Sequence, residues 1–257
     1  MEKLQVEFEV IKSKEIGYGI VEKFLARFGN ALPYKAIVKD NKFVAIVGRN
    51  YVTIPNEEIE KIAKSIAKNN GYRAEIVYEG PRGSSVDTRI FCCITSKDDG
   101  VVITNSIDGG MGLRVYYVYR IGKGYVTYNV REVYKKHTKS IEEIKNELGK
   151  ICDEVINEGK EKVIPALDAL GDKMIADYKE EVKEILEVDK DKKEKRMLPK
   201  EYTSHVWNMI TTKRIKTLKE MYEELVNQIW TGKTKITTKI RHFKTLNKVM
   251  GIVGFTI

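Results

Sequence analysis

Glutamine is almost missing from this 257-residue chain: it occurs at Gln5 and Gln228 and nowhere else. Histidine, cysteine, tryptophan and proline are scarce as well, at 3, 3, 2 and 5 residues. Few thermolabile amides beside abundant Lys, Glu and Ile fit a source that lives hot, where ion-pair networks help more. The cysteines are Cys92, Cys93 and Cys152. They supply no C-x-x-C pair, which excludes a zinc ribbon and a disulfide framework. Cys92 and Cys93 lie in an apolar run and are expected to be packed thiols of a reducing, cytoplasmic compartment. His137, His205 and His242 are scattered and lack motif partners, so they read as surface or cap residues, not as bases or ligands.

Long apolar runs are absent too. No stretch approaches the roughly 18 residues needed to cross a bilayer, and the N-terminus MEKLQVEFEV alternates with charge, unlike a signal peptide. A soluble intracellular protein with no membrane partner is expected. There is no G-x-S-x-G, no H-E-x-x-H and no dinucleotide fingerprint. Gly232-Lys233-Thr234 imitates the end of a phosphate loop, but the first motif glycine would fall at Asn227 and a helix, not a strand, precedes it. Asp87, Asp98, Asp99 and Asp108 sit in turns. No catalytic residue, metal or cofactor is expected, and an enzyme is the least favoured of three readings.

What the chain does have is charge, unevenly placed. Residues 1–188 carry 30 Lys+Arg against 30 Asp+Glu; residues 189–257 carry 16 against 7, which accounts for the whole +9. A neutral body with a basic end points to an anionic partner, and nucleic acid is the commonest. The organisation follows: an α+β core domain at 1–188, a charged linker at 189–200 around DKDKKEKR, and a basic helical region at 201–257.

Periodicity supplies the elements. Residues 4–12 alternate as a strand with Leu4, Val6, Phe8 and Val10 on one face, and 18–28 read as a short helix. The runs 34–39 and 43–48 form a hairpin across Asp40-Asn41. A helix follows, with Asn56 as cap, Glu57 and Glu58 in its first turn, an Ile59/Ile62/Ala63/Ile66 stripe, and Gly71 as stop. Five strands at 72–79, 86–96, 100–105, 112–120 and 125–134 predict an antiparallel meander packed by helices. Ser140 and Glu143 make a capping box for a helix lined by Ile141, Ile144, Leu148, Ile151 and Val155; a second long helix is expected from Pro165 to Val188, and another over 202–230.

Two places could carry function. The first is the loop Thr104 to Gly112, where Asn105 and Asp108 can hold a turn and Gly109, Gly110 and Gly112 let backbone approach a ligand. It reads equally as a flexible loop over a substrate or as a long hairpin turn. The second is the hairpin of 112–134. With a loop at Ile121–Gly124, Arg114, Tyr116, Val118, Arg120, Tyr125, Thr127, Asn129 and Arg131 share the face opposite the core. Arg114 then opposes Arg131, a like-charge pair that an anion would relieve. Arginines among tyrosines suit a single-strand platform, with cations for phosphates and rings for bases. The end of the chain adds Lys213, Arg214, Lys216, Lys233, Lys235, Lys239, Arg241 and Lys244, interspersed with Thr hydroxyls.

The segments YKAIVKDNKFVAIVGRNYVTIPNEEIEKIAKSI, TNSIDGGMGLRV and HTKSIEEIKNEL stand in that order. In that arrangement they resemble the phage/plasmid-like family of uncharacterised proteins carried by viruses, plasmids and integrated elements. The matching positions are Tyr34, Gly48, Tyr51, Asn56, Glu57, Thr104, Asn105, Ser106, Asp108, Gly109, Leu113, Arg114, Val115, His137 and Thr138. Where that family tends to have a Cys-x-Asn element, this chain has Tyr128-Asn129. The resemblance implies a mobile-element origin and brings no catalytic residues. The element order is also similar to that of phage single-strand annealing recombinases, an analogy many folds share. The expectation is a non-enzymatic, homo-oligomeric protein that binds, and in one version anneals, single-stranded DNA. The alternative is a structural protein of a viral or plasmid particle, with the apolar Met250–Ile257 docking on a neighbouring copy.

Overall fold

The computed structural model describes residues 8–80, 85–130, 141–188 and 197–255. The fold is α+β. Strands β1 (Glu9–Gly17), β2 (Ile20–Arg27), β3 (Asn30–Lys39) and β4 (Lys42–Gly48) form a four-stranded antiparallel meander in sequence order. Helix α1 (Asn56–Asn70) follows. Strands β5 (Arg73–Glu79), β6 (Arg89–Thr95), β7 (Asp99–Ser106), β8 (Arg114–Ile121) and β9 (Gly124–Tyr128) make a five-stranded sheet, again in sequence order. Then come α2 (Ile141–Gly171), a 3-10 turn (Ile175–Tyr178), α3 (Lys179–Ile185), α4 (Lys200–Thr211), α5 (Leu218–Thr231), α6 (Ile236–Leu246) and α7 (Val249–Ile252).

The first meander turns on three two-residue loops, Tyr18-Gly19, Phe28-Gly29 and Asp40-Asn41. Both residues of each have positive φ, between 51° and 75°. That is the type I′ geometry, whose twist matches the strands it joins. Gly19 has a second reason to be glycine: a Cβ there would sit 2.1 Å from Asp40 Oδ1. These turns overturn the expected helix at 18–28, which is β2. Its residues pair with β1 on one side and β3 on the other, and two ladders outweigh the helical reading of VEKFLAR. Phe8 and Val10, expected on a buried face, are about half exposed because β1 is an edge strand beyond the core.

Contacts divide the chain into two compact units. Unit 1 comprises Met1–Ile94, Ile103–Val115 and Glu132–Ile151; unit 2 comprises Thr95–Val102, Tyr116–Arg131 and Cys152–Ile257. In unit 1, Ile20, Ile37, Val47 and Ile107 form a buried cluster flanked by Ile16, Val44, Ala45 and Tyr51. Helix α1 buries Ile59, Ile62, Ala63 and Ala67, and Gly71 ends it in the left-handed conformation at φ 66°. Asn56 does not cap it. Pro55 holds the cap position, and the Asn56 side chain is buried and turned to other work. Burial pushes the Cys92 and Cys93 thiols up to about 12, as expected of packed, unreactive sulfur.

In unit 2, α5 and α6 both pack on β9. A buried polar chain ties them. The Tyr128 and Tyr222 hydroxyls are hydrogen-bonded at 3.0 Å, Tyr222 Oη donates to Asn247 Oδ1 at 2.7 Å, and Asn247 Nδ2 donates to the Thr127 carbonyl at 3.0 Å. Two helical expectations and one about the C-terminus change here. Helix α2 runs through Pro165 to Gly171, so Pro165 does not start a new helix. The expected helix 202–230 is two, broken at 212–217, where Thr217 and Glu220 form the capping box of α5. Val249 and Met250 are buried in unit 2's own core, so that part of the apolar C-terminus is not offered to a neighbour. The Ser140 capping box and the linker at 189–196 lie outside the described residues, among which no helix is long and apolar enough to cross a membrane.

Within unit 2, Gly159 of α2 packs directly against Tyr117 of β8. A Cβ there would lie 2.2 Å from Cγ of Tyr117, a ring with no exposure. In an open helix Gly→Ala stabilises by about 1 kcal/mol. Here Gly159→Ala is expected to destabilise by about 1–3 kcal/mol through overpacking. A urea midpoint for the variant at or above that of the parent would contradict this packing.

Candidate functional site

The cleft of unit 1 begins with a proline. Between β2 and β3 the register runs from Phe24↔Lys35 to Ala26↔Ala31, so one residue of β2, Leu25, answers three of β3. Pro33 stands in that irregularity, where a strand loses least by lacking an N–H, and its carbonyl accepts from the Arg49 amide at 2.9 Å. The bent end of the hairpin opens a cleft of about 900 Å³. Leu32, Pro33, Ile46 and Val47 give it an apolar wall; Arg49, Asn50 and Tyr51 follow, and Asp108, Gly109, Met111 and Gly112 face it from the β7–β8 connection.

That connection is the glycine-rich loop picked out in the sequence, and it is fixed by bonds to distant segments. Asn105, fully buried, donates through Nδ2 to the Ile54 carbonyl (3.0 Å) and to Asn56 Oδ1 (2.8 Å). Tyr51 Oη donates to the Ser106 carbonyl at 2.9 Å. Ser106 Oγ donates to the Met111 carbonyl (2.6 Å) and accepts from its amide (2.9 Å). Asp108 accepts from Thr88 Oγ1 (2.7 Å), the Gly110 amide (2.7 Å) and Arg89 Nε (3.3 Å). Burial opposes its ionisation, yet these donors outweigh it and hold the carboxyl below the usual range. Burial, with the Asp108 charge nearby, raises the Tyr51 phenol well above its ordinary value. Gly109 has φ 70° and packs so closely on Val47 that a Cβ would lie 3.2 Å from it. Thr104 is buried on β7, and its Oγ1 has no hydrogen-bond partner among the described residues. The arrangement offers a shaped cleft with a rigid wall. Its one acid and one phenol are already committed to structure.

A pair that sequence reasoning missed holds the other wall. Lys35 Nζ lies 2.7 Å from Glu22 Oε1, and the side chains are 4% and 3% exposed. Thr53 Oγ1 donates to the same carboxylate oxygen at 2.6 Å, and Lys35 Nζ donates to the Tyr51 carbonyl at 2.5 Å. The ion pair therefore pins residues 51–53, the segment that leads from the cleft into α1. Lys35 also lies 5.6 Å from the centre of the Phe24 ring.

On the β1–β4 sheet, cations meet rings. The Arg49 guanidinium lies 5.8 Å from the Phe24 ring centre, and Lys12 is the cross-strand partner of Phe24. At the β2–β3 turn Arg27 lies 5.1 Å from the ring of Phe28, which is 82% exposed. From Phe8 to Asn50 there are 8 Lys+Arg against 4 Asp+Glu, a net of +4. One of those acids, Glu22, is consumed by Lys35. A sequence-wide charge count hid this, because residues 1–188 balance to zero.

The hairpin singled out in the sequence has the expected register, Arg120↔Tyr125 and Tyr117↔Tyr128. Tyr117, Tyr128 and Val126 are buried as foreseen. The supposed wet face is only partly wet. Val118 and Thr127 are buried, a Cβ on Gly124 would lie 2.5 Å from Trp230 Cγ, and Tyr125 is spent edge-on against Trp230 at 5.8 Å. Tyr116 is half-buried, Arg114 and Arg120 are exposed, and Arg131 with its pairing to Arg114 lies outside the described residues. In unit 2, Lys213, Arg214 and Lys216 occupy the α4–α5 connection, Lys233 and Lys235 the α5–α6 connection, and Arg241 and Lys244 lie on α6; all are exposed. Lys239 is not available in the same way: it donates to the Trp230 carbonyl and lies 5.4 Å from that ring. No strand precedes Gly232-Lys233-Thr234, so the phosphate-loop reading has no support.

Comparison of the chain with protein-family models, curated proteins and solved structures gives no match.

Removing one partner of a buried ion pair leaves an uncompensated charge and costs about 3–5 kcal/mol. Lys35→Met is expected to lose stability on that scale by urea denaturation. Lys35→Met combined with Glu22→Leu is expected to recover most of it, since well-packed apolar replacement of both partners is often neutral. A single variant as stable as the parent would show that the pair does not hold the 51–53 segment.

Proposed function

We propose that this protein binds nucleic acid, single strands in preference to duplex, and does so through unit 1 without chemistry of its own. The observation that carries the reading is the set of cation–ring neighbours on the β1–β4 sheet: Arg49, which lines the cleft, and Lys12 at Phe24, and Arg27 at the exposed Phe28. Guanidinium and ammonium groups take phosphates, and rings accept unstacked bases of any sequence. The exposed Lys and Arg of unit 2's helical end would add sequence-independent attraction for the backbone. A mobile-element origin and self-association belong to the same proposal; the resemblance to phage/plasmid-like proteins is what supports the first.

A second reading, a self-associating structural protein of a particle, draws on exposed apolar residues of the same sheet, Ile46 of the cleft wall among them. Cross-strand pairing places Val10, Tyr34, Phe43 and Ile46 on the outer side of the β1–β4 sheet, each at least half exposed. Contiguous exposed apolar side chains mark interaction surfaces. If Phe43→Lys lowers the mass of an assembly in solution while oligonucleotide affinity stays unchanged, this second reading gains over the first.

Filter binding of labelled oligonucleotides across salt tests the first reading. Affinity is expected to fall with ionic strength, each phosphate contact contributing a slope of about −0.7 for single strands. Arg49→Gln should flatten the slope by about one such contact. Phe28→Ala, at a position with almost no packing to lose, should cost about 1–3 kcal/mol of binding if a base stacks there. Affinity that is flat with salt, or equal for duplex and single strand, would defeat the proposal.

A further inference from the structure

The cleft has chemistry that plain backbone binding does not use. Its volume of about 900 Å³ lies in the range of pockets for small organic ligands. Tyr51 and Asp108 are committed to the loop, as their hydrogen bonds show. What the cleft still offers is an apolar wall at Pro33 and Ile46 with Met111 facing it from the β7–β8 connection, the Asn50 carboxamide, and the Arg49 guanidinium, with Arg49 and Asn50 both exposed. An apolar wall takes the face of a planar ring. A carboxamide presents a donor and an acceptor together, matching the edge of a nucleobase. A guanidinium takes a phosphate. The Asp108 charge is on the opposite wall and is shared with Arg89, 3.3 Å away, so the anionic end of a ligand is directed to Arg49.

Resting on the proposed nucleic-acid reading, we infer that this cleft receives one unstacked nucleotide: the base between the Pro33–Ile46 wall and Met111, its edge at Asn50, its phosphate at Arg49. The same chemistry has two sources, a nucleotide turned out of a bound strand or a free nucleoside monophosphate. Gly48 provides a clean way to close the site. It lines the cleft, its backbone is not in the left-handed region, and a Cβ there would meet nothing within 4 Å. A side chain at this position therefore enters open space without straining β4.

The test uses the full chain and Gly48→Leu, with unfolding temperature as a control for folding, expected to stay the same. Calorimetric titration with deoxynucleoside 5′-monophosphates should give saturable binding to the parent, weakened about tenfold or more, a loss of about 1.4 kcal/mol, by Gly48→Leu. In the second arm, an oligonucleotide with one abasic position should bind the parent more weakly than the intact strand, and Gly48→Leu should erase that difference. Success in the first arm alone identifies a free nucleotide as the ligand; success in the second alone identifies a base of the strand. If intact and abasic strands bind alike, monophosphates do not bind, and Gly48→Leu changes nothing, the inference is overturned while the nucleic-acid reading stands. If the parent binds no oligonucleotide at any salt concentration, that reading falls and takes the inference with it.

Discussion

The buried contact between Lys35 and Glu22 is the constraint on which the cleft of unit 1 depends. Neither charge has water to solvate it, so each needs its partner, and the geometry that satisfies both also recruits Thr53 Oγ1 and the Tyr51 carbonyl. The β4–α1 connection is thereby held by a side chain of β3 and another of β2. Tyr51 then faces the β7–β8 loop and bonds the Ser106 carbonyl. A perturbation at Lys35 reaches the loop through two bonds, one at the Tyr51 carbonyl and one at its phenol.

The loop answers from its own side. Asn105 reaches Ile54 and Asn56 and ties β7 to the start of α1, while Asp108 gathers Thr88, Arg89 and the Gly110 amide. Both walls of the cleft are therefore built before any ligand arrives, and little ordering remains for binding to offset. The groups left to meet a ligand, Arg49 and Asn50, project from residues 49–50, between two fixed points. Pre-organisation of this kind suits recognition. Among the described residues, the carboxylate and phenol that line the cleft, Asp108 and Tyr51, are engaged in bonds that fix the loop.

Much of the fold was legible from local signals. The hairpin on Asp40-Asn41, helix α1 with its Gly71 stop, and the five-strand meander all came from periodicity and turn chemistry that agree with the tertiary structure. The misreadings share one cause: pairing or packing at a distance. VEKFLAR fits a helix as well as a strand until ladders form on both sides, and the flanking turns put positive φ on Tyr18 and Phe28, residues that do not announce it. Glu22 and Lys35 alternate with apolar residues as surface charges do, and only the β2–β3 register shows them on the buried face. The loop at 104–112 was legible as a place of interest, but its partners Tyr51, Asn56 and Thr88 are long-range. The tyrosine-bearing hairpin is less open than its sequence suggests because Trp230, more than a hundred residues later, packs on its Gly124–Tyr125 end.

Single strands are proposed to meet this protein at the cation–ring neighbours of the β1–β4 sheet, beside Phe24 and Phe28. Ultraviolet crosslinking of a bound oligonucleotide, followed by mass mapping of the joined peptides, tests it most directly. The account predicts crosslinks within residues 8–50, with Phe24 or Phe28 among them. Crosslinks confined to Tyr116 and Tyr125, or to the segment from Lys213 to Lys244, would contradict it.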